Sequence, residues 1–305
     1  MRLGVLDVGS NTIHLQVMDA HVGARPTPTT NFKIELRLTE YIESSGRVSD
    51  VGIGLLIEAI RKSLAHAKEF DTQEILAFAT SALREAKNGA EIVSRINELF
   101  DIDLQILSGL DEARLTFLAV RRWLGWSAGK LLVLDIGGGS LEVALGEDES
   151  PDSVLSLPLG AARLTRDFLV GDPYSQKSVN SLESHATQLL RNSISDAMKK
   201  HGARRPVATS KTFRTLARLA NTWYGDSAKS LESNALIGMI PRLSEMSNSQ
   251  RSALPGVSAS RAPQILAGAI VAQEVMEILD LTELEICPWA LREGIILKWL
   301  DWMER

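Results

Sequence analysis

The sequence predicts an α/β protein made of two related domains. Three observations lead there. One strand–turn–strand pattern is written twice about half a chain apart, short apolar runs alternate with helical periodicities, and 305 residues suffice for two medium-sized cores. Residues 2–19 read RLGVLDVGSNTIHLQVMD and residues 130–147 read KLLVLDIGGGSLEVALGE. When the two are aligned, Asp7 meets Asp135, Gly9 meets Gly137, Thr12 meets Ser140, His14 meets Glu142 and Leu15 meets Val143. Each copy predicts a buried strand ending in an acid, a Gly/Ser turn and a second strand. At this separation the echo predicts two domains of common ancestry and not a tandem array.

The intervening elements follow in order. The run NFKIELRL alternates, and Lys33 and Arg37, four apart, are expected on one strand face. Residues 51–70 carry Ile53, Leu56, Ile57, Ile60 and Leu64 at helical spacing. QEILAFA (73–79) and IDLQIL (102–107) read as buried strands. After Ser108-Gly109-Leu110-Asp111-Glu112 comes a helical run, with Asp111 as its expected N-cap. The Gly125–Gly129 stretch is a natural linker. The expected domains are therefore 1–125 and 126–290. Helices are expected at 176–200 and 264–279, and an amphipathic helix over 291–305 is expected to return to the first domain. Trp299 and Trp302, three apart on one helical face, are expected to serve packing and not ligand stacking.

Composition narrows the function. Hydrophobic residues are 45 % and charged residues 23 %, as in a globular chain. A net charge of −5 gives no electrostatic case for nucleic-acid or membrane partners, so any polyanion site must be a local basic one. The single cysteine, Cys287, sits beside Pro288 and Trp289 and reads as a buried structural thiol. The N-terminal apolar run is too short for a signal peptide, and no stretch reaches the roughly 20 apolar residues that span a bilayer. A cytoplasmic protein is expected.

The repeated turn has a definite chemistry. Its strand delivers a carboxylate, and the adjoining glycine lets backbone N–H groups approach an anion closely. Ser or Thr adds a hydroxyl. Two such turns facing one cleft would offer amides to phosphate and carboxylates to a divalent metal.

These residues reach a known pattern. Asp7–Thr12, Ala79–Arg84, Ser108–Arg114 and Asp135–Glu142, with Leu291-Arg292-Glu293-Gly294 near the end, resemble the exopolyphosphatase/guanosine pentaphosphate phosphatase family nearly end to end. The resemblance implies two ribonuclease H-like domains of the actin-like ATPase superfamily with an interdomain cleft, as in short actinobacterial exopolyphosphatases without the C-terminal helical domains of longer members. It implies Mg²⁺-dependent hydrolysis of terminal phosphate from inorganic polyphosphate, and a homodimer. Glu112 is then the base for the attacking water. On the residues alone it reads as an ordinary acid in a helix's first turn. Asp135 and Glu142 are metal candidates, with Asp7 a third. His14 reads as a structural residue or a support for the ligands around it, and not as a ligand. Ser10, Asn11, Thr12, Arg84 and the amides of Gly137, Gly138, Gly139 and Ser140 are expected to grip the terminal phosphate. Arg84 can fork two oxygens, although without the family it reads as a surface arginine. Lys33 and Arg37 either clamp a longer anion or decorate a wet face.

Two departures matter. Where the family has a Gly-Thr-Gly-Gly-Thr-like turn for a nucleotide, this chain has Ala208-Thr209-Ser210-Lys211-Thr212. Side chains then fill space for a base and ribose. The following helix carries Lys211, Arg214 and Arg218 at i, i+3 and i+7, a stripe suited to polyphosphate or simply a solvated face. After Arg261-Ala262 the family's Asp is replaced by Pro263. Short polyphosphate is the expected substrate. The alternatives are guanosine pentaphosphate or a nucleotide di- or triphosphate, an ATPase or kinase activity, and a non-catalytic sensor.

Overall fold

The computed structural model describes residues 1–21, 27–200, 202–225 and 227–303. Glu304 and Arg305, expected in the last helix, lie outside the described residues. In chain order the elements are β1 (Arg2–Val8), β2 (Thr12–Asp19), β3 (Pro28–Glu35), α1 (Asp50–Glu69), β4 (Glu74–Ala79), α2 (Ser81–Glu85), α3 (Gly89–Phe100), β5 (Leu104–Ile106) and α4 (Gly109–Leu124). Then come β6 (Leu131–Ile136), β7 (Leu141–Gly146), β8 (Ser153–Leu157), α5 (Ala161–Phe168), α6 (Gln176–Ser193), α7 (Asp196–Lys199), β9 (Arg205–Thr209) and α8 (Ser210–Tyr224). The chain ends with β10 (Ser230–Glu232), α9 (Ser233–Glu245), α10 (Asn248–Ser252), α11 (Ile265–Ile278), β11 (Glu283–Ile286) and α12 (Leu291–Met303). By internal contacts it divides into two units, Met1–Leu115 with Leu291–Arg305, and Thr116–Ala290. The division falls inside α4, ahead of the Gly125–Gly129 stretch where a linker is expected.

The first unit holds a five-stranded sheet, β3-β2-β1-β4-β5. β1 pairs antiparallel with β2 and parallel with β4. Leu3, Val5, Leu6 and Val8 of β1 are fully buried, because both sheet faces are covered. One face packs Leu6, Val8 and Ile13 with Leu56 and Ile60 of α1. The other packs Leu3, Val5 and Met18 with Ile295, Ile296 and Leu300 of α12. Each such side chain contributes about 1.5–3 kcal/mol on burial. α12 approaches α4 so closely that a Cβ on Gly294 would lie 1.9 Å from the Leu115 carbonyl oxygen. Trp299 packs in this core and donates from Nε1 to Glu74 Oε1 at 3.2 Å, but Trp302 is 69 % exposed and does not pack beside it.

The second unit holds a six-stranded sheet, β10-β11-β9-β6-β7-β8. Its central helix α11 buries Ile265, Leu266, Ala269, Ile270, Ala272 and Val275 around its circumference, as an interior helix does. Cys287 is buried at 1 % exposure beside Phe117, Val120 and Val133. The single helix expected over 176–200 is two helices. Ile194 is extended, and Ser195 Oγ accepts from the Met198 N–H at 3.2 Å, starting α7 afresh.

The written echo is a structural one. In the first unit Asp7 pairs across the ladder with His14, and in the second Asp135 pairs with Glu142. Gly9 N–H donates to Thr12 O at 3.0 Å, and Gly137 N–H donates to Ser140 O at 2.9 Å. The correspondence runs further than the aligned segments. Ala79-Thr80-Ser81 closes β4, and Ala208-Thr209-Ser210 closes β9. The carbonyls of Ala79 and Ala208 each accept at 2.9 Å, from the N–H of Leu107 and of Cys287.

Candidate functional site

In the first unit the β1–β2 turn is pinned from two sides. The Asn11 carbonyl accepts from the N–H groups of Leu36 and Arg37, each at 3.0 Å. The buried Ser10 Oγ lies 2.8 Å from Ser81 Oγ at the start of α2. Arg84 of α2 donates from Nη1 to the Leu107 carbonyl at 2.9 Å and pairs with Glu112 Oε1. Glu112 is 9 % exposed in the first turn of α4. The cap of that helix is Ser108, whose Oγ accepts from the Asp111 N–H at 3.1 Å, so Asp111 is a residue of the first turn and not its N-cap. Its carboxylate takes the Ser108 hydroxyl at 2.6 Å and Arg114 at 3.1 Å.

Asp7, the third metal candidate, has an arginine beside it. Arg292 of α12 donates from Nη1 to Asp7 Oδ2 at 3.3 Å and from Nε to Gln16 Oε1 at 3.1 Å. Burial pushes the Asp7 carboxyl up, partly offset by Arg292. Burial pushes His14 down to about 4, aided by the positive charge of Arg292 and opposed by its hydrogen bond with Asn31. Arg37 does not share a strand face with Lys33. β3 stops at Glu35, and Arg37 adopts left-handed backbone (φ 49°) and pairs with Glu40 at 3.3 Å. Lys33 is exposed on β3, opposite His14.

In the second unit the glycine turn is held by its carbonyls. Gly137 O accepts from Ala161 N–H at 3.0 Å, and Gly138 O accepts from Ala162 and Arg163 N–H at 2.9 and 3.0 Å. Gly139 O accepts from Arg163 Nε at 2.9 Å. With the carbonyls drawn to the start of α5, the N–H groups of Gly138, Gly139 and Ser140 donate to no other described residue. Backbone N–H groups left so are of the kind that can receive an anion. The close contact needs Gly160, where a Cβ would stand 2.2–2.3 Å from backbone atoms of Gly139 and Ser140.

Asp135 and Glu142 are direct cross-strand partners, so their side chains share one face. Like charges so placed repel, and a divalent cation between them relieves that. Two carboxylates are oxygen donors of the type Mg²⁺ takes, and among the described residues no group of three or more His, Cys, Asp or Glu gathers to hold a metal. Ser156, opposite Glu142 on β8, donates from Oγ to Glu142 Oε1 at 2.9 Å and orients it.

The basic stripe on α8 is partly folded down. Lys211 is exposed, but Arg214 donates to the carbonyls of Ser210 (3.1 Å) and Pro288 (3.4 Å). Arg218 lies against Gly256. Ser210 retains the left-handed backbone of a glycine, φ 82°. Pro263 contributes its carbonyl, which accepts from Tyr174 Oη at 2.9 Å and Thr165 Oγ1 at 3.3 Å.

Sequence reasoning missed Ser81, Ser156, Arg163 and the anchoring role of Arg292. The repeated Ala-Thr-Ser marks Ser81. Nothing local marks Ser156, whose importance comes from register.

The chain has relatives among known proteins. The chain is 50 % identical over 305 residues to Exopolyphosphatase 1 of Mycobacterium tuberculosis, covering 99 % of this chain and 89 % of that one. Among solved structures, an exopolyphosphatase from Cytophaga hutchinsonii superposes with a TM-score of 0.87 at 24 % identity, covering 99 % of this chain and 98 % of that one. The PPX-GPPA enzyme of Aquifex aeolicus superposes with a TM-score of 0.79 at 26 % identity, covering 98 % and 99 %. The fold is that of the actin-like ATPase superfamily expected above. The profile of the Ppx/GppA phosphatase family matches residues 17–303, and the chain belongs to that family.

Proposed function

We propose that the protein is an exopolyphosphatase that hydrolyses the terminal phosphoanhydride bond of inorganic polyphosphate, short chains preferred, and releases orthophosphate. The similarity to Exopolyphosphatase 1 supports the substrate class. The observation that carries the chemistry is Glu112, a nearly buried carboxylate paired with Arg84, whose short helix also holds the Ser10 hydroxyl through Ser81. In this reading Ser10, Asn11, Thr12, Arg84 and the amides of Gly137 to Ser140 hold phosphate oxygens. Glu112 accepts a proton as water adds to the terminal phosphorus and the bridging P–O bond breaks. Arg84 and the turn amides balance the charge on the transferring group. Asp135 and Glu142 would hold Mg²⁺, which supplies further charge neutralisation when bound. Lys211 and, after release from its carbonyls, Arg214 would meet the polyphosphate tail, with Lys33 a more distant candidate.

The same reading places the protein in the cytoplasm as a homodimer acting on polyphosphate, without nucleic-acid or membrane partners. Sedimentation velocity decides the oligomer, and cell fractionation decides the location. Among the described residues no helix is long and apolar enough to cross a membrane.

Phosphate release from short polyphosphate, long polyphosphate, guanosine pentaphosphate and ATP, with and without Mg²⁺, tests the assignment. Short polyphosphate with Mg²⁺ is expected to give the highest kcat/KM. A preference for guanosine pentaphosphate would replace this reading with the 5′-phosphatase one. No hydrolysis of any of them would leave a sensor.

A further inference from the structure

We propose that Arg84 masks Glu112 in the ligand-free protein and that the terminal phosphate unmasks it by taking the arginine for itself. This rests on the assignment of Glu112 as base and deepens it. Arg84 Nη1 makes both of the arginine's side-chain hydrogen bonds, to the Leu107 carbonyl and to Glu112 Oε1. Nε and Nη2 donate to no described residue. Both partners are shielded, with side-chain exposures of 21 % and 12 %, so the pair is stronger than a surface ion pair. A carboxylate held by a guanidinium is a weaker base toward water, because the positive charge beside it stabilises the ionised form.

The geometry also supplies the release. The Leu107 carbonyl keeps Nη1 in place when the carboxylate leaves, so the guanidinium pivots without leaving the site. Its two remaining donor nitrogens suit the forked oxygens of a phosphate. A phosphate dianion outcompetes a single carboxylate for that charge and repels the carboxylate. Ser10 and Ser81 are joined at the start of the same short helix that carries Arg84, so phosphate entering the β1–β2 turn arrives beside it. Water activation then begins only once the terminal phosphate is seated, which limits idle proton exchange at Glu112.

The test is a double-mutant cycle on orthophosphate affinity, measured by calorimetry for wild type, Glu112→Gln, Arg84→Gln and the double variant. Glu112→Gln is expected to bind orthophosphate at least about tenfold more tightly than wild type, a typical coupling for a shared ion pair. In the Arg84→Gln background the same change is expected to alter affinity less than about threefold. Equal gains in both backgrounds would reduce the effect to simple repulsion and overturn the proposal, as would no gain in either. Nitrogen-15 spectra of the Arg84 guanidinium in wild type give a second readout. They are expected to change on addition of orthophosphate, and an unchanged Arg84 signal at saturation contradicts the exchange. Uncoupled affinities in a protein that still hydrolyses polyphosphate sink the exchange alone. A wild type that neither binds phosphate nor cleaves polyphosphate sinks the underlying assignment too.

Discussion

His14 sits on β2 opposite Asp7, and its proton affinity is set by burial and by the nearby Arg292. The folded protein protonates it only near pH 4, whereas an exposed histidine titrates near 6.5. Between those values the unfolded chain binds the extra proton, so stability rises with pH through this window and falls as pH drops from about 6.5 to about 4. His14→Gln is expected to flatten that part of the stability profile, read as Tm against pH. An unchanged slope would assign the acid sensitivity elsewhere. At this scale the sequence was informative where a residue's type limits its role. Cys287 is buried, as its apolar neighbours suggested. Asp7 was harder to read, because its partner Arg292 lies 285 positions away. Arg37 and Asp111 were misread by spacing alone. A strand that ends two residues early and a serine that caps first are decided by local hydrogen bonds.

The β6–β7 turn shows how an element makes a site. Its amides are available because α5 takes its carbonyls, and α5 can do so because Gly160 has no side chain. Gly160→Ala is expected to push the turn off α5, destabilising the protein by about 1–3 kcal/mol. It should also raise KM for polyphosphate more than it lowers thermal stability would explain. Steady-state kinetics beside a calorimetric melt check both, and an unaltered KM contradicts the assignment of the turn amides to phosphate. The strands β1, β4 and β6 and the helices α1 and α11 were legible from periodicity, since burial imposes it. The break between α6 and α7 was not, because a serine hydroxyl competing for one N–H leaves no periodic trace.

Across the whole molecule, one plan is used twice: antiparallel strands, a glycine or serine turn, then a parallel strand closing on Ala-Thr-Ser. The first half of that repeat was plain in the sequence. The second half, three residues in each unit, was too short to stand out until the hydrogen bonds of Ala79 and Ala208 matched. The copies have diverged in chemistry. In one copy the strand acid pairs across the ladder with His14, and in the other with Glu142. Glu112 and Arg84 belong to the first unit, and Asp135 and Glu142 to the second. The account as a whole depends on Glu112 drawing the proton from water. The direct measurement is kcat for orthophosphate release from short polyphosphate at saturating Mg²⁺, comparing wild type with Glu112→Gln. A loss of at least about a hundredfold is predicted, the scale of a positioned general base. Turnover of the variant at the wild-type rate would contradict it.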